Sequence, residues 1–186
     1  MLTIEKYFDA LYNTLTTLST THLDAATGIL DQAYQVDATI FVIGNGQSAA
    51  TASAFALDLT KQTASTHRRR FRTLALTDNV AALTAWANDV RYDSVFTEQL
   101  RALMRPGDVI VAVSVSGNSP NVIDACGWAR ENGGKVIGLA GFEGGKLREV
   151  SNVCLVFKSQ DFGHVETAHV AVMHYWVDVF RERLAG

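Results

Sequence analysis

The sequence predicts an α/β fold: a doubly wound, five-stranded parallel sheet preceded by an N-terminal helical hairpin. Three observations predict it. Five short runs rich in β-branched and apolar residues recur along the chain, each separated from the next by a helical or turn segment. The runs are continuously apolar rather than alternating, the pattern of strands covered on both faces. Two polar loops, 44–48 and 114–119, each follow a strand and precede a helix, and parallel sheets bind ligands beyond the C-terminal ends of their strands.

The elements follow in order. Leu2, Ile4, Phe8, Leu11, Leu15 and Leu18 recur at helical spacing. Thr20 or Thr21 is the expected cap of a second helix carrying Leu23, Leu30 and Ala33 on one face. A small sheet cannot cover both of these helices, so the hairpin (1–36) is expected to pack on another subunit. Thr39–Ile43 is the first strand, and it stops at Gly44-Asn45-Gly46 before a helix from Ser48 to about Lys61. Thr73–Leu76 is the second strand. The stretch from Val80 to Met104 reads as helix broken near Asp89. Asp108–Val113 is the third strand, with a helix over 119–131. Lys135–Ala140 is the fourth, followed by a turn at Gly144-Gly145. Asn152–Phe157 is the fifth, and a last helix spans about 164–183. Strands joined through helices form right-handed parallel units.

The chain has 186 residues, a net charge of -3, 48% hydrophobic and 19% charged residues. This is the length of one domain, 1–186, with enough chain to bury a core. The charge gives no global attraction to nucleic acid or to an anionic membrane. No apolar run reaches the roughly 18 residues of a membrane span. The N-terminus lacks a signal-peptide pattern. Cys126 and Cys154 stand far apart without a CxxC pattern and read as buried thiols. A cytoplasmic location follows as the expectation.

The strongest chemical feature is Ser114-Val115-Ser116-Gly117-Asn118-Ser119-Pro120-Asn121. A phosphate needs several donors at a helix N-terminus, where backbone N–H groups are free and the dipole favours an anion. Three hydroxyls, an Asn and a glycine that admits close backbone approach meet that need, with Ser119 as cap and Pro120 at the first helical position. Gly44-Asn45-Gly46-Gln47-Ser48 is neither a Walker loop nor a dinucleotide fingerprint. Beside the serine loop it reads as the second wall of one pocket.

Gly44-Asn45-Gly46-x-Ser48, Asn88-Asp89, Ser114-x-Ser116-Gly117-Asn118-Ser119-Pro120-Asn121-Val122, Gly144-Gly145-Lys146 and a histidine-bearing last helix resemble, in this order, the phosphoheptose isomerase branch of the SIS (sugar isomerase) family. The resemblance covers nearly the whole chain. It implies a flavodoxin-like SIS domain in a homotetramer, with sites between subunits. It implies a phosphorylated sugar as ligand: Ser114, Ser116, Asn118 and Ser119 at the phosphate, Asn45, Gly46 and Ser48 along the sugar, and Asp89 at hydroxyls. The implied reaction converts sedoheptulose 7-phosphate to D-glycero-D-manno-heptose 7-phosphate by moving a proton through an enediol. The branch also contains replication-initiator-associating regulators, which leaves a non-catalytic, phosphosugar- or protein-binding alternative.

The sequence departs from the family pattern at the reacting end. Asp58 stands where the family carries a glutamate base, Ala54 where it carries a metal-binding His, Glu166 for a Gln, and Gly163 for an Asp. His174 matches the catalytic His, and His169 also falls on a familiar His. No cofactor is expected. Some members hold zinc, for which Asp58, Glu166 and His174 are the ligands left here. Asp58 or Glu166 is the expected base and His174 the acid. An isomerase of another sugar phosphate, with Glu166 as base, is the alternative within enzymes. Glu166 and His174 lie about 80° apart around a helix, two turns from each other, a spacing expected to bracket an enediol. The run His67-Arg68-Arg69-Arg70-Phe71-Arg72 reads as a solvated loop, a lid over a phosphosugar, or a patch for an acidic partner.

Overall fold

A computed structural model describes residues 2–185. Five parallel strands, β1 (Thr39–Gly44), β2 (Arg72–Ala75), β3 (Val109–Ser114), β4 (Lys135–Gly141) and β5 (Val153–Phe157), lie in the order β2-β1-β3-β4-β5. Among the described residues eight α-helices accompany them: α1 (Ile4–Thr16), α2 (Thr20–Gln35), α3 (Gln47–Lys61), α4 (Val80–Asp89), α5 (Thr97–Leu103), α6 (Pro120–Glu131), α7 (Gly145–Val150) and α8 (Phe162–Ala185). The winding reverses between β1 and β3. Loops leaving those two strands therefore diverge to opposite faces and open a crevice between them.

The apolar runs are explained by two cores. Val109, Val111 and Val113 of β3 join a core with residues of α2, α3 and α8. Ile110 and Ala112 of the same strand join a second core with residues of α5, α6 and α7. Side chains alternate faces along a strand, so a strand sandwiched by helices is apolar at every position. Trp176 is fully buried, and its indole N–H donates to Oγ1 of Thr27 at 3.0 Å, tying α8 to α2. Cys126 and Cys154 are free and buried, and burial pushes both thiols up.

Three expectations need correction. Ser19, not Thr20 or Thr21, caps α2: its backbone is extended and its Oγ accepts from the N–H of His22 at 3.3 Å. The segment after Asp89 does not resume as one helix; a single 3-10 turn at Tyr92–Ser94 precedes α5. The Gly144-Gly145 turn opens α7, whose one buried residue, Leu147, is too little for a periodic signal.

The arginine run precedes β2, at the end of the sheet opposite the crevice, so it is no lid over this chain's own serine loop. Phe71 is buried between Tyr34 and Phe180, with ring centroids 4.7 and 4.9 Å away. The Arg69 guanidinium lies over the Tyr34 ring and donates to its backbone carbonyl. Arg72 pairs with Asp37 at 3.5 Å.

His169, 1% exposed, stacks edge-on against Phe157, and neither ring nitrogen has a hydrogen-bond partner. Burial pushes its imidazole down to about 4. Its folded value lies below its unfolded one of about 6.5, so the unfolded chain binds the extra proton as pH falls. The resulting stability is fully present above about pH 6.5 and is lost progressively toward pH 4, by up to roughly 3 kcal/mol. Denaturant titrations from pH 7 to pH 4 are expected to show this loss, and His169→Phe to show less of it.

Candidate functional site

The register of the sheet brings the two polar loops together. Gly44 pairs with Val113 and Ser114 with Ala140, so the ends of β1 and β3 finish side by side. Gly44 is fixed by close packing: a Cβ there would lie 2.8–2.9 Å from backbone and Cβ atoms of Ser48 in the first turn of α3. Gly46 follows at φ 56°, in the left-handed region, as the N-cap of α3. A tight turn thus aims Asn45 and Ser48 into the crevice.

The serine loop is built around Gly117. Its φ is +65°, and a Cβ there would stand 2.1 Å from the carbonyl oxygen of Gly144. The loop is braced from below by α7. The Leu147 N–H donates to the Gly117 carbonyl at 2.8 Å, and the Lys146 N–H to Oδ1 of Asn118 at 3.0 Å. The loop's carbonyl groups thereby satisfy N–H groups at the start of α7. Ser119 occupies the N-cap of α6, with Pro120 at the first helical position, yet its hydroxyl makes no cap bond. It turns to the Ser114 hydroxyl, 3.3 Å away. A serine at an N-cap ordinarily bonds the helix N–H groups; here that end of α6 is left without a side-chain cap, the arrangement that suits an anion.

These loops line a pocket of about 130 Å³ with Asn45, Ser48, Val113, Ser114, Val115, Ser116, Ser119, Phe162 and Glu166. Phe162 and Glu166 are one turn apart on α8, which Asp161 caps through the N–H of His164 at 3.0 Å. Glu166 therefore lines the same cavity as four serines, Ser48, Ser114, Ser116 and Ser119. Such a set can hold an anion at one end and move a proton at the other.

Other expected site residues lie elsewhere. Asp58 and His174 share a separate pocket of about 30 Å³ with Ala54, Phe55 and Met173. That pocket is smaller than the one under the serine loop. Glu166 and His174, expected to bracket one ligand, line two different pockets of this chain. Eight residues at 1.5 Å each set them roughly 12 Å apart along α8. Asn118 turns its amide to Lys146 and to the Ser116 carbonyl rather than to the pocket. Asp89 ends α4, exposed, and accepts from the Asn88 side chain at 2.7 Å. Gly46 shapes the turn without lining the cavity.

No group of three His, Cys, Asp or Glu side chains among the described residues is placed to hold a metal ion. Asp58, Glu166 and His174 fall in two pockets, and Ala54 offers no donor. These residues do not fit a zinc ion within one chain, and no step below passes through a metal. Phe162, Asn121, Tyr92 and Asp161 were not legible as site residues. Only Asn121 sat inside a quoted motif.

Residues 6–141 match the SIS domain family. The phosphoheptose isomerase of Aliarcobacter butzleri is 44% identical over 73% of this chain and 71% of its own. That of Rhodospirillum rubrum is 40% identical over 87% of this chain and 85% of its own. The solved structure of phosphoheptose isomerase GmhA from Neisseria gonorrhoeae superposes with a TM-score of 0.87 at 32% identity, covering 95% of this chain and 96% of that one. Motif order, sheet topology, the crevice at the β1/β3 reversal and these likenesses agree: the chain belongs to the SIS domain family, on its phosphoheptose isomerase branch.

Proposed function

We propose that the protein is a phosphosugar aldose–ketose isomerase that converts sedoheptulose 7-phosphate to D-glycero-D-manno-heptose 7-phosphate. The observation that carries the reading is the Glu166 carboxylate in one cavity with Ser114, Ser116 and Ser119. The phosphate is held by the serine loop at the uncapped start of α6, and Asn45 and Ser48 face the sugar. Glu166 takes a proton from C1 of the open-chain ketose. The C2 carbonyl oxygen becomes an enediolate oxygen and takes up the proton that the C1 hydroxyl gives up as the C1 aldehyde forms, while Glu166 returns the carbon-bound proton to C2. Atoms and electrons balance without an external reductant, as an isomerisation requires.

The proposal includes a single domain acting as a cytoplasmic homotetramer. Ile4, Phe8 and Tyr12 form one face of α1 and are 57, 58 and 67% exposed, which supports packing on another copy. Among the described residues no helix is long and apolar enough to cross a membrane. The pairing of Asp58 with His174 in one small pocket favours a second reading. A neighbouring copy enlarges that pocket, and Asp58 and His174 are base and acid.

A thermal-shift screen with inorganic phosphate and sugar phosphates tests ligand class. Sedoheptulose 7-phosphate at about 100 times its Kd is expected to stabilise by about 2.7 kcal/mol. For a chain of this size that is a rise of roughly 5–11 °C in Tm. Ser116→Ala and Ser119→Ala are expected to reduce the shift. No shift with any sugar phosphate contradicts the reading.

A further inference from the structure

Asn45 is gripped by two side chains that stand outside the assigned site. Its Oδ1 accepts from Nδ2 of Asn121 and from Oη of Tyr92, each at 2.9 Å. Its Nδ2 donates to Oδ1 of Asn121, also at 2.9 Å. The two amides form a closed reciprocal pair joining the loop after β1 to the first turn of α6. Asn121 is 1% exposed, so its side of the pair is buried. An amide oxygen has two lone pairs and an amide nitrogen two hydrogens. Both lone pairs of Asn45 are used, and so is one hydrogen. One N–H remains on a residue that lines the pocket with Glu166. Asn45 can therefore meet a ligand only as a donor.

We infer that Tyr92 and Asn121 are positioning residues. They hold Asn45 so that its free Nδ2–H donates to the sugar oxygen that gains negative charge as Glu166 removes a proton. The assignment rests on the isomerase reading. As the C1 proton passes to Glu166, the C2 carbonyl oxygen becomes an enediolate oxygen. Asn45 donates a hydrogen bond to it and transfers no proton. Bonds accepted by an amide oxygen polarise its N–H groups, and a pre-aimed donor acts where charge develops. Removing such a donor outright costs about 10²–10³-fold in kcat. Removing Tyr92 Oη leaves the donor in place and loosens its aim, so a loss of about 10-fold is expected. Tyr92 sits in the 3-10 turn between α4 and α5, so this bond also ties that connection to the pocket.

The test compares two ligands. The hydroxamate of a 6-phosphoaldonic acid is planar and anionic, like an enediolate; inorganic phosphate probes only the serine loop. Both are titrated into wild type, Tyr92→Phe and Asn45→Asp. Tyr92 is 56% exposed and Phe keeps the ring, so an unchanged Tm is expected to verify the fold. Tyr92→Phe is expected to weaken the hydroxamate about 10-fold, leave phosphate unchanged, and lower kcat at nearly constant KM. Asn45→Asp, an acceptor in place of the donor, is expected to abolish the preference for hydroxamate. Equal affinities in wild type and Tyr92→Phe, or equal losses for both ligands, overturn the positioning role alone. A wild-type protein that binds phosphate but not the hydroxamate overturns the isomerase reading, and this assignment with it.

Discussion

Glu166→Gln is expected to lower kcat on sedoheptulose 7-phosphate by at least about 10²-fold, the usual worth of a general base, with KM little changed. Gln keeps the volume and one acceptor of the side chain but cannot carry a proton. The substitution therefore separates proton transfer from binding. Glu166 is half-buried at the mouth of the serine pocket, so no buried partner is stranded and Tm is expected to hold. Asp58→Asn is the matched comparison. Asp58 faces a cavity of about 30 Å³, and its loss is expected to cost less than about 10-fold. The reverse ranking, with Asp58→Asn the more damaging, moves the base to the Asp58–His174 pair and favours a site completed by a second copy.

Gly117→Ala is expected to produce the largest loss of stability and to abolish phosphate binding. The residue sits at φ +65°, a conformation a side chain resists, at a cost of about 1–3 kcal/mol. The added Cβ would also stand 2.1 Å from the Gly144 carbonyl oxygen and 2.6 Å from its carbon. Backbone cannot swing aside as a flexible side chain can. Either the serine loop or the start of α7 must move, and overpacking of this kind adds about 1–3 kcal/mol. The sum, roughly 2–6 kcal/mol, corresponds to a drop in Tm of at least about 4 °C. Differential scanning calorimetry with and without inorganic phosphate checks both parts. A variant with wild-type Tm and phosphate affinity contradicts the account of the loop. Ala at Gly127 is the control, since a Cβ there meets nothing within 4 Å.

The fold was legible because its signals are local. The apolar runs of β1, β3 and β4 needed only the rule that doubly covered strands are apolar throughout. Their boundaries fell within one residue of the observed ends, Thr39–Gly44, Val109–Ser114 and Lys135–Gly141. The phosphate loop was legible for the same reason: eight consecutive residues carry hydroxyls, turn glycine, cap and proline together. The rest depends on distance in the chain. Whether Asp58 or Glu166 shares a cavity with Ser116 is decided by how α3 and α8 cross, which no spacing along either helix reveals. The Asn45–Asn121 pair spans 76 positions and the Tyr92–Asn45 bond 47. No periodicity reports such contacts. Asn118 read as a ligand from its place in a polar loop, but its carbonyl found the exposed N–H of Lys146 at the start of α7. That helix was itself too short to be seen. A polar residue in a binding loop has two customers, ligand and neighbouring backbone, and sequence does not separate them.

The most direct test of the reading is proton transfer itself. Sedoheptulose 7-phosphate is incubated with the purified protein in deuterated water and followed by NMR. The expected result is aldose heptose 7-phosphate carrying deuterium at C2, with exchange at C1 of the remaining ketose, and both signals lost in Glu166→Gln. Full binding of the sugar phosphate with no aldose formed and no deuterium at either carbon contradicts it, and marks the protein as a phosphosugar binder without catalysis.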